Sequence, residues 1–243
     1  MALHFLLDAP VTAQPGDDVH LTGSEAHHAA AVRRVRVGET VTVGDGRGVV
    51  VTGECISVSP REVVVQIQRR REEKAAAPRL VLAQALAKGD RDELAVQAAT
   101  ELGVDEILPW QAARSVSRWD AAKAAKGVAR WSAIVREAAK QAHRAWVPSV
   151  ADPVKTKDLA ARAAASVVLV LDPDAETALT DIDVADAREI VVVVGPEGGI
   201  TDAEVAELTE AGAAAVRLGS TVLRTSTAGP AALSVVNVRL GRW

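Results

Sequence analysis

Along the first third of the chain, apolar residues alternate with polar ones. ETVTVGDGRGVVVTGECISV places Val on every second position on either side of Gly44-Asp45-Gly46-Arg47-Gly48. That pattern predicts two half-buried strands joined as a hairpin. REVVVQIQ predicts a third strand after the turn at Ser59-Pro60. Before the hairpin, GSEAHHAAAVRRVRVG reads as a short helix with Ser24 as its cap. The expected product is a small β-barrel. A linker is expected at RRREEKAAAP, 69–78, where charge, alanine and proline break the alternation.

From residue 79 the pattern becomes one of unbroken apolar runs separated by helical stretches. RLVLAQAL, VDEILPW, SVVLVLD, EIVVVVG and AAVRLG are the runs. Strands buried on both faces of a parallel sheet look like this. Between them, DRDELAVQAATELG, GVARWSAIVREAAKQAHRAW, TDAEVAELTEAG and GPAALSVVNVRLG predict helices, the first closed by Gly103. The second part is therefore expected to be α/β, with about five or six strands.

Composition sharpens this picture in two places. The 243 residues include one Phe, no Tyr and five Trp, so both cores must be built from Val, Leu, Ile and Ala. The single cysteine, Cys55, excludes an intrachain disulfide and a cysteine-rich zinc site, and fits a reducing, cytoplasmic setting. MALHFLLDAPV lacks the features of a signal peptide. No apolar run reaches the roughly 18 residues that cross a bilayer.

The net charge of −4 argues against nucleic acid, but its distribution does not. Residues 110–162 carry 11 basic and 4 acidic side chains, net +7, whereas residues 163–243 carry 5 and 12, net −7. A basic stretch in an acidic protein is either a solvated helix face or a surface for phosphates.

The chemistry concentrates at two glycine turns. VVVVGPEGGITDAEV runs from a strand through Gly195-Pro196-Glu197-Gly198-Gly199 into a helix, with Thr201 and Glu204 spaced as a capping box. This turn has neither the lysine of a triphosphate loop nor the G-x-G-x-x-G of a dinucleotide site. LGSTVLRTSTAG likewise leaves a strand and enters a helix, with Arg224 its one charged residue. Leu171-Asp172 ends a third strand at the same edge, the edge where open α/β sheets bind ligands. Arg224 is either functional or half of a structural ion pair. His27 and His28 lack the partners of a metal site, and no hydrolase elbow or zinc-helix motif is present.

Four segments, ALAKGDRDELAVQAATELGV, EAAKQAHRAWVP, VVVVGPEGGITDAEV and LGSTVLRTSTA, occur in that order and together resemble the RsmE family of 16S ribosomal RNA uracil-N3 methyltransferases. HHAAAVRRVRVGETVTVGDGRG resembles that family's PUA-like domain. The likeness covers nearly the whole chain. It implies a PUA-like β-barrel over 1–72 and a SPOUT-type domain with a C-terminal trefoil knot over 73–243. It further implies S-adenosylmethionine as cofactor, the small ribosomal subunit as substrate, a homodimer and no metal.

Carried onto this sequence, the cofactor residues are Leu171, Gly195, Glu197, Gly199, Leu218, Gly219, Val222 and Leu223. Arg224 is the catalytic residue. Arg33, Arg34, Lys88, Lys140, Gln141 and Arg144 are the RNA contacts. One departure stands out: Ser226 occupies a place where many members carry glutamate. The alternative reading it raises is a knotted RNA-binding or assembly protein that has lost its chemistry.

Overall fold

The computed structural model describes residues 2–243, which form two compact units. The first comprises the chain up to Ala75 together with Ala139–Val147; the second comprises Ala76–Ala138 and Pro148–Trp243.

The first unit contains a five-stranded sheet: β1 (Leu3–Leu6), β2 (Asp18–Thr22), β3 (Thr40–Gly44), β4 (Val49–Val58) and β5 (Glu62–Glu72). Its order is β1-β3-β4-β5-β2, which leaves β1 and β2 as the end strands. The expected hairpin is β3–β4, antiparallel, and β4–β5 continues it. Alternate residues Val41, Val43, Val51, Val63, Val65 and Ile67 turn inward and pack with Phe5, Leu21 and Cys55. Register shifts at Thr52/Gly53 and Cys55/Ser57 bend β4 against β5. Gly53 permits the first shift, because a Cβ there would lie 2.2 Å from the Gln66 carbonyl oxygen.

Three expectations for this unit change. β5 runs on through Arg69–Glu72, so the charged stretch is partly strand rather than linker. The helix α1 spans Gly23–His27 and passes into one turn of π-helix, His28–Val32. Its N-cap position is held by Thr22, and Ser24 lies inside the helix. Residues 145–147 also pack on the hairpin tip, with Gly48 N–H donating to Ala145 O at 3.0 Å and Val147 N–H to Gly46 O at 3.0 Å. Asp45 organises that tip by accepting the N–H groups of Arg47 and Val49 at 2.8 and 3.1 Å.

The second unit is a six-stranded, fully parallel sheet. Its strands are β6 (Arg79–Ala85), β7 (Glu106–Trp110), β8 (Ser149–Val150), β9 (Val167–Leu171), β10 (Glu189–Val194) and β11 (Ala214–Val216). The order is β11-β9-β10-β6-β7-β8. The two central strands, β6 and β10, are the unbroken apolar runs, and Leu80–Ala85 and Ile190–Val194 are buried throughout. The helices are α2 (Arg91–Glu101), α3 (Ala121–Gln141), α4 (Thr156–Arg162), α5 (Asp202–Glu210) and α6 (Thr225–Arg239). α6 packs on α2, β6 and β10.

α3 starts earlier and stops earlier than its pattern suggested. Asp120 accepts the Lys123 N–H at 2.9 Å and so opens it. His143, in a left-handed conformation at φ 54°, ends it, with Arg144 N–H closing on Ala139 O at 2.9 Å. α6 begins at Thr225, so Thr225-Ser226-Thr227 are its first turn rather than loop.

At the amino ends of the strands, Arg162 donates Nε to Glu189 at 2.8 Å, and Arg79 lies 3.4 Å from Glu106. Those charges satisfy one another. The carboxyl ends are arranged differently.

Candidate functional site

β9, β10 and β11 are neighbours and parallel, so their carboxyl ends open at one edge. β10 runs as a buried strand up to Val194 and then turns at once. Gly199, at φ 74°, closes that turn with its N–H on Pro196 O at 2.9 Å. Gly195 has no room for a side chain, since a Cβ would lie 2.7 Å from Ile200 Cγ1. The capping box then starts α5: Thr201 Oγ1 accepts the Glu204 N–H at 3.2 Å, and Glu204 accepts the Thr201 N–H at 3.1 Å. Glu204 is buried, which pushes its carboxyl up. The N–H groups of Ala113 and Thr201 and the hydroxyls of Thr201 and Thr156 outweigh this and hold it below its ordinary value.

The glycine turn is gripped from two sides. Glu197 Oε1 accepts the Lys88 N–H and the Arg91 guanidinium, each at 3.0 Å. Arg114 donates to the Gly198 carbonyl at 3.1 Å. The second turn leaves β11, passes Gly219 at φ 120° and reaches Arg224 at the N-cap of α6. Thr225 Oγ1 donates to the Gly195 carbonyl at 2.8 Å and so ties the two turns together.

Between them lies a cavity of about 920 Å³, wholly within the second unit. Leu171, Gly195, Glu197, Gly199, Leu218, Gly219, Val222 and Leu223 all line it, and so does Arg224. Its size falls in the range of small-molecule sites, about 300–1,000 Å³. Arg224 is exposed and makes no ion pair or side-chain hydrogen bond among the described residues, so the structural-pair reading lacks a partner. Val222 is 79% exposed and stands at the rim.

Sequence reasoning missed Arg114, Asp174 and Asp202, which also line the cavity. Asp202 was legible as the first residue of a capped helix. Arg114 carried no signal, because only the fold brings it 84 residues along to Gly198.

The expected RNA contacts separate into groups. Arg33 and Arg34 are exposed just after the π turn, Arg34 at φ 56°. Gln141 and Lys88 are exposed, and Arg144 is half-buried. Lys140 departs from expectation: it is buried and pairs with Glu25 at 2.8 Å. Its ammonium is engaged with Glu25 inside the first unit. Among the described residues no group of His, Cys, Asp and Glu could hold a metal ion, and no helix is long and apolar enough to cross a membrane.

Residues 74–237 match the RNA methyltransferase domain family, and residues 21–68 match the RNA methyltransferase PUA domain family. The chain is similar to the ribosomal RNA small subunit methyltransferase E of Mycobacterium tuberculosis, with 46% identity over 226 residues, covering 91% of this chain and 86% of that protein. With the Bacillus subtilis protein of the same name it shares 34% identity, covering 89% and 88%. The fold is similar to a ribosomal RNA small subunit methyltransferase E of Neisseria gonorrhoeae bound to S-adenosyl methionine, with a TM-score of 0.87, 31% identity and 98% of each chain covered.

Proposed function

The chain belongs to the RNA methyltransferase domain family, alongside the ribosomal RNA small subunit methyltransferases E, and we propose that it uses S-adenosylmethionine to methylate small-subunit ribosomal RNA. The observation that carries this reading is the meeting of nine residues, from three strand ends, around one cavity.

The cavity fits that cofactor chemically. S-adenosylmethionine has no phosphate, and neither glycine turn offers a phosphate-loop lysine. It carries an amino group, a carboxylate and a positive sulfur, and the cavity has both carboxylates, Asp172, Asp174 and Asp202, and guanidinium groups, Arg91 and Arg114. Bound there, it supplies an electrophilic methyl group. Gly195, Gly199, Leu218 and Gly219 would form the close backbone wall, with Leu171 and Leu223 as apolar cover.

The finer reading is methylation at N3 of a uridine. That nitrogen is an imide, a poor nucleophile until its proton leaves, and its anion spreads charge onto the flanking carbonyl oxygens. Arg224 is permanently charged, lines the cavity and has no partner among the described residues, so it is suited to stabilise that charge. Glu197 is not suited as the base, because it is held by Lys88 and Arg91. With Ser226 in the first turn of α6, no carboxylate stands at that place either. The N3 proton then passes to solvent, and stabilisation of the resulting anion together with positioning carries the step.

The same reading includes a trefoil-knotted C-terminal segment, a homodimer, a PUA-like barrel that meets RNA through Arg33 and Arg34, and a cytoplasmic site of action. Incubation with labelled S-adenosylmethionine and small-subunit particles from cells lacking the protein tests it. Label in 16S RNA supports the reading. Absence of label, with the protein folded, returns the chain to the non-catalytic alternative.

A further inference from the structure

Gln84, the penultimate residue of β6, is fully buried in an apolar strand. Its Nε2 donates to Thr225 Oγ1 at 2.9 Å, across 141 residues of sequence, and reaches the Ala85 carbonyl at 3.3 Å. Thr225 Oγ1 in turn lies 2.8 Å from the Gly195 carbonyl oxygen. The directions follow from the groups. A carbonyl only accepts, so the single hydroxyl proton points to Gly195. The hydroxyl oxygen must then accept, and only the amide nitrogen of Gln84 donates.

Gln84 Oε1 has no partner among the described residues. A buried amide with one end unsatisfied is costly, and a strand of Leu, Val and Ala needs no glutamine for packing. What the amide does is hold Thr225. That residue opens α6 and directly follows Arg224, while Gly195 opens the facing wall of the cavity. The relay therefore joins the two turns at the point where Arg224 leaves the backbone.

We propose that Gln84 and Thr225 are positioning residues that register Arg224 against the Gly195 wall and set the rate of methyl transfer more than cofactor affinity. The proposal rests on the methyltransferase reading above. Gln84 itself does not line the cavity, so it acts only through Thr225.

The test compares Thr225→Val, Thr225→Ser, Gln84→Met and the Gln84→Met/Thr225→Val double variant. It measures kcat, KM for RNA, calorimetric Kd for S-adenosylmethionine and melting temperature, with the unaltered protein in the same assay. Thr225→Val and Gln84→Met should lower kcat about tenfold or more while the cofactor Kd moves less than about threefold. Thr225→Ser, which keeps the hydroxyl, should restore kcat to within about threefold. The double variant should be no slower than the slower single one, because both break one relay. Gln84→Met at full kcat, Thr225→Ser as slow as Thr225→Val, or parallel loss of cofactor binding would overturn the proposal. If Thr225→Val does not fold, Gln84→Met and Thr225→Ser decide it by the same criteria. An unaltered protein that binds the cofactor but transfers nothing would instead defeat the methyltransferase reading, and the relay with it.

Discussion

Arg91 and Glu197 meet at 3.0 Å, and the same Glu197 oxygen accepts the Lys88 N–H. The glycine turn after β10 is thereby fastened to the turn between β6 and α2. Burial pushes the Glu197 carboxyl up, but the N–H groups of Glu197 and Lys88 and the Arg91 guanidinium outweigh it and hold it low. This explains an acid in a turn made otherwise of glycine and proline. Glu197→Gln keeps an acceptor for Lys88 and loses the charge pairing. The pair is partly solvent-exposed, so cofactor affinity should fall only about two- to fivefold, as measured by calorimetry.

Among the described residues Arg224 is the one cavity-lining arginine without a partner; Arg91 and Arg114 are both engaged. Arg224→Ala should lower kcat by about a hundredfold or more, the scale of a lost oxyanion donor. Cofactor Kd should stay within about threefold. Single-turnover rates beside calorimetry separate the two, and equal losses in both would remove Arg224 from the chemistry.

Lys140 and the Arg33–Arg34 pair should behave oppositely. Lys140→Met removes the ammonium that Glu25 holds at 2.8 Å but leaves it the Leu6 N–H, and should cost roughly 3 kcal/mol of stability in denaturant unfolding. Arg33→Ala with Arg34→Ala should leave stability within about 0.5 kcal/mol. It should, however, flatten the salt dependence of RNA binding by roughly 1.5 units of log–log slope. An unchanged slope would move the RNA contact elsewhere.

His4 supplies a pH test. Burial, followed by the charges of His143, Arg71 and Lys140, lowers its pKa from 6.5 to about 4. The unfolded chain therefore binds a proton at this residue that the folded chain refuses between those values. Stability is fully present above about pH 6.5 and falls as pH drops toward 4, by up to about 3 kcal/mol from this group. His4→Gln should reduce that slope in unfolding curves taken between pH 7 and 4.

Gly53→Ala places a Cβ 2.2 Å from the Gln66 carbonyl, a backbone atom that cannot swing away. A loss of roughly 3 kcal/mol, seen as a lowered melting temperature, is expected. An unaffected melting temperature would mean that the bend between β4 and β5 relaxes freely.

What was legible in the chain is what depends on neighbours in sequence. The alternation around Gly44–Gly48, the apolar run into Gly195 and the Thr201–Glu204 box all rest on short-range geometry, and the fold realises each. The residues of the two glycine turns that line the cavity were legible because each turn is continuous. The contacts that hold those turns were not. Arg114 reaches Gly198 across 84 residues, Gln84 reaches Thr225 across 141, and Lys140 reaches Glu25 across 115. Only tertiary packing makes these pairs neighbours. Lys140 also shows why a basic cluster misleads: charge composition cannot tell a solvated ammonium from a buried one. β8 and α4 went unseen because two and seven residues carry too little periodicity.

Mass-spectrometric mapping of the modified base tests N3 methylation most directly. Small-subunit particles from cells lacking the protein are incubated with it and isotopically labelled S-adenosylmethionine, and the 16S RNA is then digested to nucleosides. One labelled nucleoside is expected, N3-methyluridine, absent when Arg224→Ala is used for the same brief incubation. Label on a base carbon, on a ribose oxygen or on any nucleoside other than uridine would contradict it.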